Sequence, residues 1–306
     1  MWKAAADTAR EMLRARKRPL MVTRRDLSGV RVVFTGATDG MGRLAAQRLA
    51  EMKATVYVLG RDPRKTADAV DEFNRLAGEK RAFAVRCDLA SLDSVRECAE
   101  RLLEACPAID ALVNCAGVNT PRRMVTADGY EMNWSVNYLG AALLTERLLG
   151  RLRESAPARI VNLSSAMARA GRIRFDDLQL ENGWSSLAAY AQAKLATNMA
   201  TIALARRLDG SGVTVNALNP GFISTALLRH YTGPMRVWQL VMRWLASPPE
   251  VGAERILRLA AGADCEGVTG KIFHEDHVRP PVGSEADEAA IERLAALTQD
   301  VLQARI

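Results

Sequence analysis

Tyr190 and Lys194 stand four residues apart in Tyr190-Ala-Gln-Ala-Lys194, and Ser165 lies twenty-five residues upstream. Four residues on a helix make about one turn, so the two side chains share a face and the ammonium can act on the phenol through space. A free tyrosine titrates near ~10 and is a poor proton donor or acceptor at neutral pH until a nearby positive charge favours its phenolate. A serine hydroxyl beside such a pair can hydrogen-bond an oxygen on which charge develops. Together these residue types can move a proton to or from a carbonyl or alcohol oxygen. Ser164 carries the identical side chain. Successive strand residues face opposite sides, so only one of the two serines can reach a common substrate.

A second pattern lies near the start, in Thr35-Gly36-Ala-Thr38-Asp39-Gly40-Met41-Gly42. It follows a short apolar run and opens a helical pattern. Glycines there let the backbone approach a pyrophosphate, and the helix N-terminus offers free N–H groups and a positive dipole end. The next apolar run ends in Leu59-Gly60-Arg61. An acidic residue at that point would take the ribose hydroxyls of NAD, whereas Arg61 suits a 2′-phosphate. The expected cofactor is therefore NADP(H), with NAD(H) left open. Asp39 works against a bound 2′-phosphate, and Arg43 on the first helical turn is the group that can offset it. Asp88 in Cys87-Asp88-Leu89 can accept from an adenine amino group. Asn114-Cys-Ala116-Gly117 falls beside the adenine ribose, although either segment can equally cap a turn.

The elements that must position these groups alternate along the chain. Strands are expected at 30–35, 55–59, 83–87, 109–114, 159–163 and 213–218. Helices are expected at 44–52, 65–77, 91–105 and 187–208, with one long helix running through Asn137 and Leu149. Apolar strands alternating with amphipathic helices imply an α/β fold, a doubly wound parallel sheet of Rossmann type with helices on both faces. A single domain over residues 29–281 is expected, preceded by a basic arm at 1–28 and followed by a helical tail at 282–306.

Charge narrows the function further. The net +7 is concentrated in residues 1–28, where eight basic and three acidic side chains give +5 and leave +2 for the remainder. The body has no basic surplus of the kind that binds nucleic acid. Five cysteines form no C-x-x-C pair, as expected of reduced thiols in a cytoplasmic protein. No secretory signal is expected from the basic N-terminus, and no run reaches the ~20 apolar residues of a spanning helix. His274-Glu-Asp-His277 reads as a loop with two metal-type residues and no third ligand, so no metal is expected.

With these motifs in order, the chain resembles the short-chain dehydrogenase/reductase family and, within it, the retinol dehydrogenase-like branch. The resemblance covers about residues 29–280. It rests on the glycine turn at 35–42, Asn114-x-Ala-Gly117, Val136-Asn137-Tyr-Leu-Gly, Arg159-Ile-Val-Asn-Leu-Ser-Ser165, Tyr190-x3-Lys194 and Asn219-Pro220-Gly221. Phe175-Asp-Asp-Leu-Gln179 and the long interval from Ser165 to Tyr190 point to the branch. Cys115 stands where the family usually has a neutral amide. The resemblance implies catalytic roles for Asn137, Ser165, Tyr190 and Lys194, and selects Ser165 over Ser164. Tyr190 would exchange a proton with the substrate oxygen, and Lys194 would lower its pKa and hold the nicotinamide ribose. Asn137 would hold a water linking Lys194 to solvent. After Pro220-Gly221, Ile223 and Thr225 would meet the cofactor's far end. Family members often dimerise through the helices bearing Asn137 and Tyr190, so a homodimer is open, although the Ser165–Tyr190 insert could obstruct it.

Between Thr225 and Pro248 the chain is dense in large apolar side chains, among them Met235, Trp238, Met242 and Trp244. A segment of that kind over the site suits a lipophilic alcohol or carbonyl. Alongside Arg236 and Arg243 it could also contact a membrane periphery. The sequence therefore reads as an NADP(H)-preferring oxidoreductase. The alternative is a nucleotide-sensing or membrane-recruited protein that keeps the fold without the chemistry.

Overall fold

A computed structural model describes residues 24–223 and 246–303. One sheet of eight strands runs through them in the order β3-β2-β1-β4-β5-β6-β7-β8. The first half comprises β1 (Arg31–Thr35), α1 (Gly40–Glu51), β2 (Thr55–Gly60), α2 (Pro63–Ala77), β3 (Ala82–Arg86), α3 (Leu92–Ala105) and β4 (Ala111–Asn114). The second half holds α4 (Gly140–Glu154), β5 (Ala158–Leu163), α5 (Ser186–Arg207), β6 (Val213–Asn219), α6 (Pro249–Ala261), β7 (Ile272–His274), β8 (His277–Arg279) and α7 (Glu288–Gln303). All pairings are parallel except β7 with β8.

Side chains alternate across the sheet and so fill two cores. Val32, Phe34, Val56 and Val58 pack on one face with α1 and α6 residues such as Leu49 and Ile256. Val33, Tyr57 and Leu59 pack on the other with Leu102, Leu144 and Leu148. Strands buried on both faces have to be apolar almost throughout, which is why the sequence reads as short unbroken apolar runs. Helix ends follow local chemistry. Asp62 accepts from Arg64 N and Lys65 N to start α2, and Gly78 at φ 74° ends it. Ser91 and Ser185 cap α3 and α5 in the same way.

Three elements depart from the expected pattern. The long helix through Asn137 is broken into a helical turn at Met132–Trp134, a π-helical turn at Ser135–Leu139 and then α4. His274 and His277 belong to a hairpin, β7–β8, whose turn is Glu275-Asp276 with Glu275 at φ 56°. The body also begins earlier than residue 29. Leu27 is 3% exposed in the core, its N–H donates to the Met52 carbonyl at 2.8 Å, and Arg25 pairs with Glu266 at 2.8 Å.

The C-terminal helix lies against the body. Ile291 and Leu294 of α7 join Met199 and Ile202 of α5 in a third core. Tyr138 and Thr298 share a hydrogen bond of 2.6 Å, and Asn198 donates to the buried Glu285 at 2.6 Å. Among the described residues no helix is long and apolar enough to cross a membrane.

Candidate active site

The strand order reverses between β1 and β4, and the groups singled out by the sequence gather at the carboxyl ends of the strands around that point. A crevice there is where an open α/β sheet binds its ligand. Thr35 ends β1, and its Oγ1 accepts from Cys115 N at 3.0 Å and Ala116 N at 3.2 Å. That hydroxyl ties the glycine turn to the loop after β4. A Cβ on Gly36 would lie 2.6 Å from Ala116 N, and one on Gly42 would lie 2.3 Å from Gly36 O, so both positions need glycine for close backbone packing.

The helix that opens at Gly40 has Asp39 as its N-cap, and Asp39 makes no side-chain cap bond, whereas Asp62, Ser91 and Ser185 each cap theirs. Three first-turn N–H groups, on Gly40, Met41 and Gly42, have no intrahelical partner by position. Such an end suits a pyrophosphate. The residues present therefore fit a dinucleotide.

Several expected contacts are narrower than the sequence suggested. The Met41 side chain packs against α6, where a Cβ on Gly252 would meet its sulfur at 2.7 Å and Ile223 at 3.2 Å. Leu89 is buried in the core. The Ile223 and Leu89 side chains are buried, which leaves their backbone to face a cofactor, whereas Met41 is half-buried. The Asn114 amide turns inward instead of toward a ribose, donating to Thr145 at 3.0 Å and Asn162 at 2.9 Å. Residue parity at the end of a strand decides that direction. Asp88 accepts from Ala90 N at 3.0 Å and so closes its own turn. Arg61 is exposed. Arg43 pairs with Glu72 of α2, which takes the charge expected to offset Asp39. Thr38 is half-buried in the turn. Thr225 and the apolar segment after it lie outside the described residues.

The proton-transfer groups converge from three elements. Tyr190 and Lys194 occupy the second and third turns of α5 and are 8% and 3% exposed. The Lys194 ammonium sits 5.8 Å from the Tyr190 ring centroid and donates to the Leu163 carbonyl at 2.7 Å. Ser165 follows β5, where its Oγ accepts from Met167 N at 3.2 Å, and its hydroxyl lies near enough to Tyr190 to favour the phenolate in part. Ser164 turns the other way and donates to the Lys194 carbonyl at 3.4 Å. The Asn137 amide donates to Val118 O at 2.9 Å and accepts from Val118 N at 2.8 Å. Its own carbonyl, within the π-helical turn, accepts from Thr197 at 3.3 Å. A π-helical turn displaces one carbonyl from the regular ladder, and such turns recur at functional sites. A Cβ on Gly117 would lie 2.9 Å from Asn137 Oδ1 and 3.7 Å from Lys194 Nζ, so this loop closes over both.

Electrostatics differ from the expectation in one respect. Burial pushes the Tyr190 phenol up to about 12, partly offset by the neighbouring Ser165 hydroxyl. Burial also brings Lys194 down to about 8, and the neighbouring Cys115 raises it in part. Lys194 thus does not pull the phenol below its ordinary value here. Removing both groups from water outweighs their mutual effect, because the ammonium is aimed at the Leu163 carbonyl.

The sequence reading missed the support beneath Asn219-Pro220-Gly221. Arg255 of α6 is 4% exposed and donates to the Pro220 carbonyl at 2.6 Å, and it pairs with Glu275 at 3.2 Å and Asp276 at 3.0 Å. Gly221 lies at φ 80°, and a Cβ there would meet Glu275 at 2.6 Å and Arg255 at 3.0 Å. His274 and Asn219 are hydrogen-bonded side chain to side chain. The His-Glu-Asp-His run is therefore a clamp on the turn after β6. An unbroken His-Glu-Asp-His next to two β-type residues is the only local signal of it.

Comparison with known proteins agrees with this geometry. The short chain dehydrogenase family profile matches residues 31–234. The chain is 36% identical to human retinol dehydrogenase 14 over 284 residues, covering 88% of this chain and 84% of that protein. It is 39% identical to human retinol dehydrogenase 13 over 282 residues, covering 88% and 83%. Among solved structures, the RhlG/NADP active-site complex of Pseudomonas aeruginosa superposes with a TM-score of 0.66 at 27% identity, covering 82% of this chain and 96% of that one.

Proposed function

The chain belongs to the short-chain dehydrogenase/reductase family, in its retinol dehydrogenase-like branch, as an NAD(P)-dependent oxidoreductase; from that premise we propose that it prefers NADP(H) and interconverts a lipophilic alcohol with its aldehyde or ketone. The observation that carries the chemistry is the buried Tyr190 phenol beside the Ser165 hydroxyl, with the Lys194 ammonium 5.8 Å from the ring.

When bound, the nicotinamide supplies or accepts the hydride. In reduction, Tyr190 gives its phenolic proton to the carbonyl oxygen, and in oxidation it takes the proton from the alcohol. Burial holds the phenol near 12, so it is protonated at neutral pH but a weak acid, and the positive charge of an oxidised nicotinamide beside it would bring it down. Ser165 donates to the same substrate oxygen and stabilises its developing charge. Lys194 has three protons, one of them on Leu163, which leaves donors for the nicotinamide ribose hydroxyls. Asn137 fixes the Val118 loop through its amide, and its carbonyl accepts from a water on the proton path.

NADP(H) preference is supported by Arg61, exposed at the end of β2, and by Asp62 being committed to the α2 cap, so that no carboxylate is presented to the 2′ position from that turn. The relative in complex with NADP agrees. A lipophilic substrate is supported by the names of the relatives, which are retinol dehydrogenases.

Following nicotinamide absorbance with NADPH and NADH, over retinal, steroid ketones and long-chain aldehydes, tests both parts. Turnover with NADPH and a lipophilic carbonyl, lost in Tyr190→Phe, supports the reading. Equal turnover with NADH removes the cofactor preference, and turnover retained in the variant removes Tyr190 as the acid.

A further inference from the structure

Glu131 is 1% exposed and heads the broken helix that carries Asn137. Its Oε2 accepts from Trp134 N at 2.9 Å and so caps the Met132–Trp134 turn. Its Oε1 accepts from Asn133 Nδ2 at 2.8 Å and from Trp184 Nε1 at 3.2 Å. Its own N–H donates to Gln179 Oε1 at 2.7 Å. Among the described residues no cation pairs with it, and the carboxylate is satisfied by neutral N–H groups alone. A buried carboxylate is costly unless donors meet it. A helix cap uses only one of these three bonds; the other two reach into separate loops.

Asn133 carries the arrangement to the loop after β4. A backbone N–H and an indole N–H only donate, so both Glu131 oxygens accept, and Asn133 has to turn its amino end toward Oε1. That amino group also donates to Thr120 Oγ1 at 3.0 Å, and the carbonyl end accepts from Thr120 N at 3.3 Å. Four residues on, the Asn137 amide grips Val118 with a similar pair of bonds. The loop that closes over Lys194 is thus held at alternate residues. Between them, Asn119 accepts from Ser186 Oγ at 2.6 Å. Ser186 lies one helical turn before Tyr190 and on its side of α5. Leu187, 59% exposed, adds an apolar rim at the same helix end. The Glu131–Trp184 and Asn119–Ser186 bonds therefore fasten the chain entering α5 to the loop after β4, next to Tyr190.

We propose that Glu131 is a positioning residue for the alcohol or carbonyl: through Asn133 and Trp184 it joins the two loops into one wall beside Tyr190, and that wall holds the substrate oxygen against the phenol and Ser165. This rests on the oxidoreductase reading above. Hydride and proton reach one carbonyl from fixed directions, so a small loss of alignment costs rate heavily. A loosened wall also lets a ketone present either of its faces. The glycine turn that suits the cofactor's pyrophosphate makes none of these bonds, so cofactor affinity is a separate readout.

Trp184→Phe and Glu131→Gln in the full chain test it. The first removes the indole donor and leaves the cap and Asn133 in place, so it reads the wall even where the second folds poorly. The second keeps the size of the side chain but sets an amino group against an N–H donor at one of its two ends. The assay is reduction of hexanophenone, a prochiral lipophilic ketone, and of the carbonyl compounds above, with NADPH. Both variants are expected to lower kcat/KM at least about tenfold and to lower the enantiomeric excess of the alcohol, with NADPH affinity within about twofold of the parent. Amide exchange at Thr120, which needs no turnover, is expected to quicken at least about tenfold in Glu131→Gln. Unchanged exchange at Thr120, or unchanged rate and stereochemistry in Trp184→Phe, overturns the proposal. Parallel losses of NADPH affinity and turnover give Glu131 a role in the fold alone and overturn it too. A loss in Trp184→Phe with parent-like kinetics in Glu131→Gln makes the indole a substrate contact by itself and removes Glu131. No reduction of any carbonyl by the parent removes the oxidoreductase reading and this proposal with it, whereas parent turnover with unaltered variants overturns this proposal alone.

Discussion

The Lys194 ammonium donates to the Leu163 carbonyl at 2.7 Å, which joins the third turn of α5 to the end of β5 beneath Tyr190. One hydrogen bond does not repay the loss of water around a buried ammonium, and Lys194 falls to about 8. Between that value and the unfolded lysine value near ~10.4 the unfolded chain binds more protons, so this group makes stability rise with pH from about 8 to about 10. Lys194→Met removes the titration. Its melting temperature is expected to exceed that of the parent at pH 7, by a margin worth on the order of 3 kcal/mol at most, and to lose that advantage toward pH 10. A constant difference across the range counts against a charged, buried Lys194.

Tyr190→Phe keeps the ring and removes the hydroxyl beside Ser165. Cofactor affinity should stay within about twofold, whereas turnover should fall by about 10² or more, the usual contribution of a positioned acid. Stopped-flow cofactor binding set against steady-state rates separates the two effects.

Arg61→Ala should weaken NADPH by about tenfold and leave NADH nearly unchanged, if the exposed guanidinium meets a 2′-phosphate. The NADPH loss should shrink at high salt, as expected of an exposed charge pair. Equal losses for both nucleotides would give the arginine a structural role only.

Arg255→Met strips the Pro220 carbonyl of its donor and leaves Glu275 and Asp276 facing each other without their cation. Arg255 is buried but both carboxylates are partly open to solvent, so the loss is less than for a fully buried pair, on the order of 1–3 kcal/mol, and the melting temperature should drop. Gly221→Ala is the companion test. It keeps the ions but places a methyl against Glu275 at positive φ, and both stability and cofactor affinity should fall.

Truncation locates the start of the body. Removing residues 1–28 rather than 1–23 deletes Leu27 from the core, and the longer truncation should be less stable than the shorter by about 2–5 kcal/mol. Identical urea midpoints would mean that Leu27 contributes nothing to the fold.

What the sequence determined by itself was local in origin. The glycine turn follows a strand and opens a helix because Gly36, Gly40 and Gly42 permit a backbone that other residues do not. Tyr190 and Lys194 meet because four residues make one helical turn. Short apolar runs separated by amphipathic segments fixed six parallel strands and the doubly wound class, since a strand covered on both faces has to be apolar throughout. The tertiary structure decided whatever depended on distant partners. The side to which Asn114 turns follows from Thr145 and Asn162, and the π-helical turn at Asn137 from its packing against Val118 and Thr197. The His274–His277 segment is too short and too polar to read as strands, and it becomes a hairpin only because β6 offers an edge and Arg255 an ion for Glu275 and Asp276. The pKa of Tyr190 belongs to the same class: spacing brings a cation near, but burial, which no local pattern encodes, sets the direction of the shift.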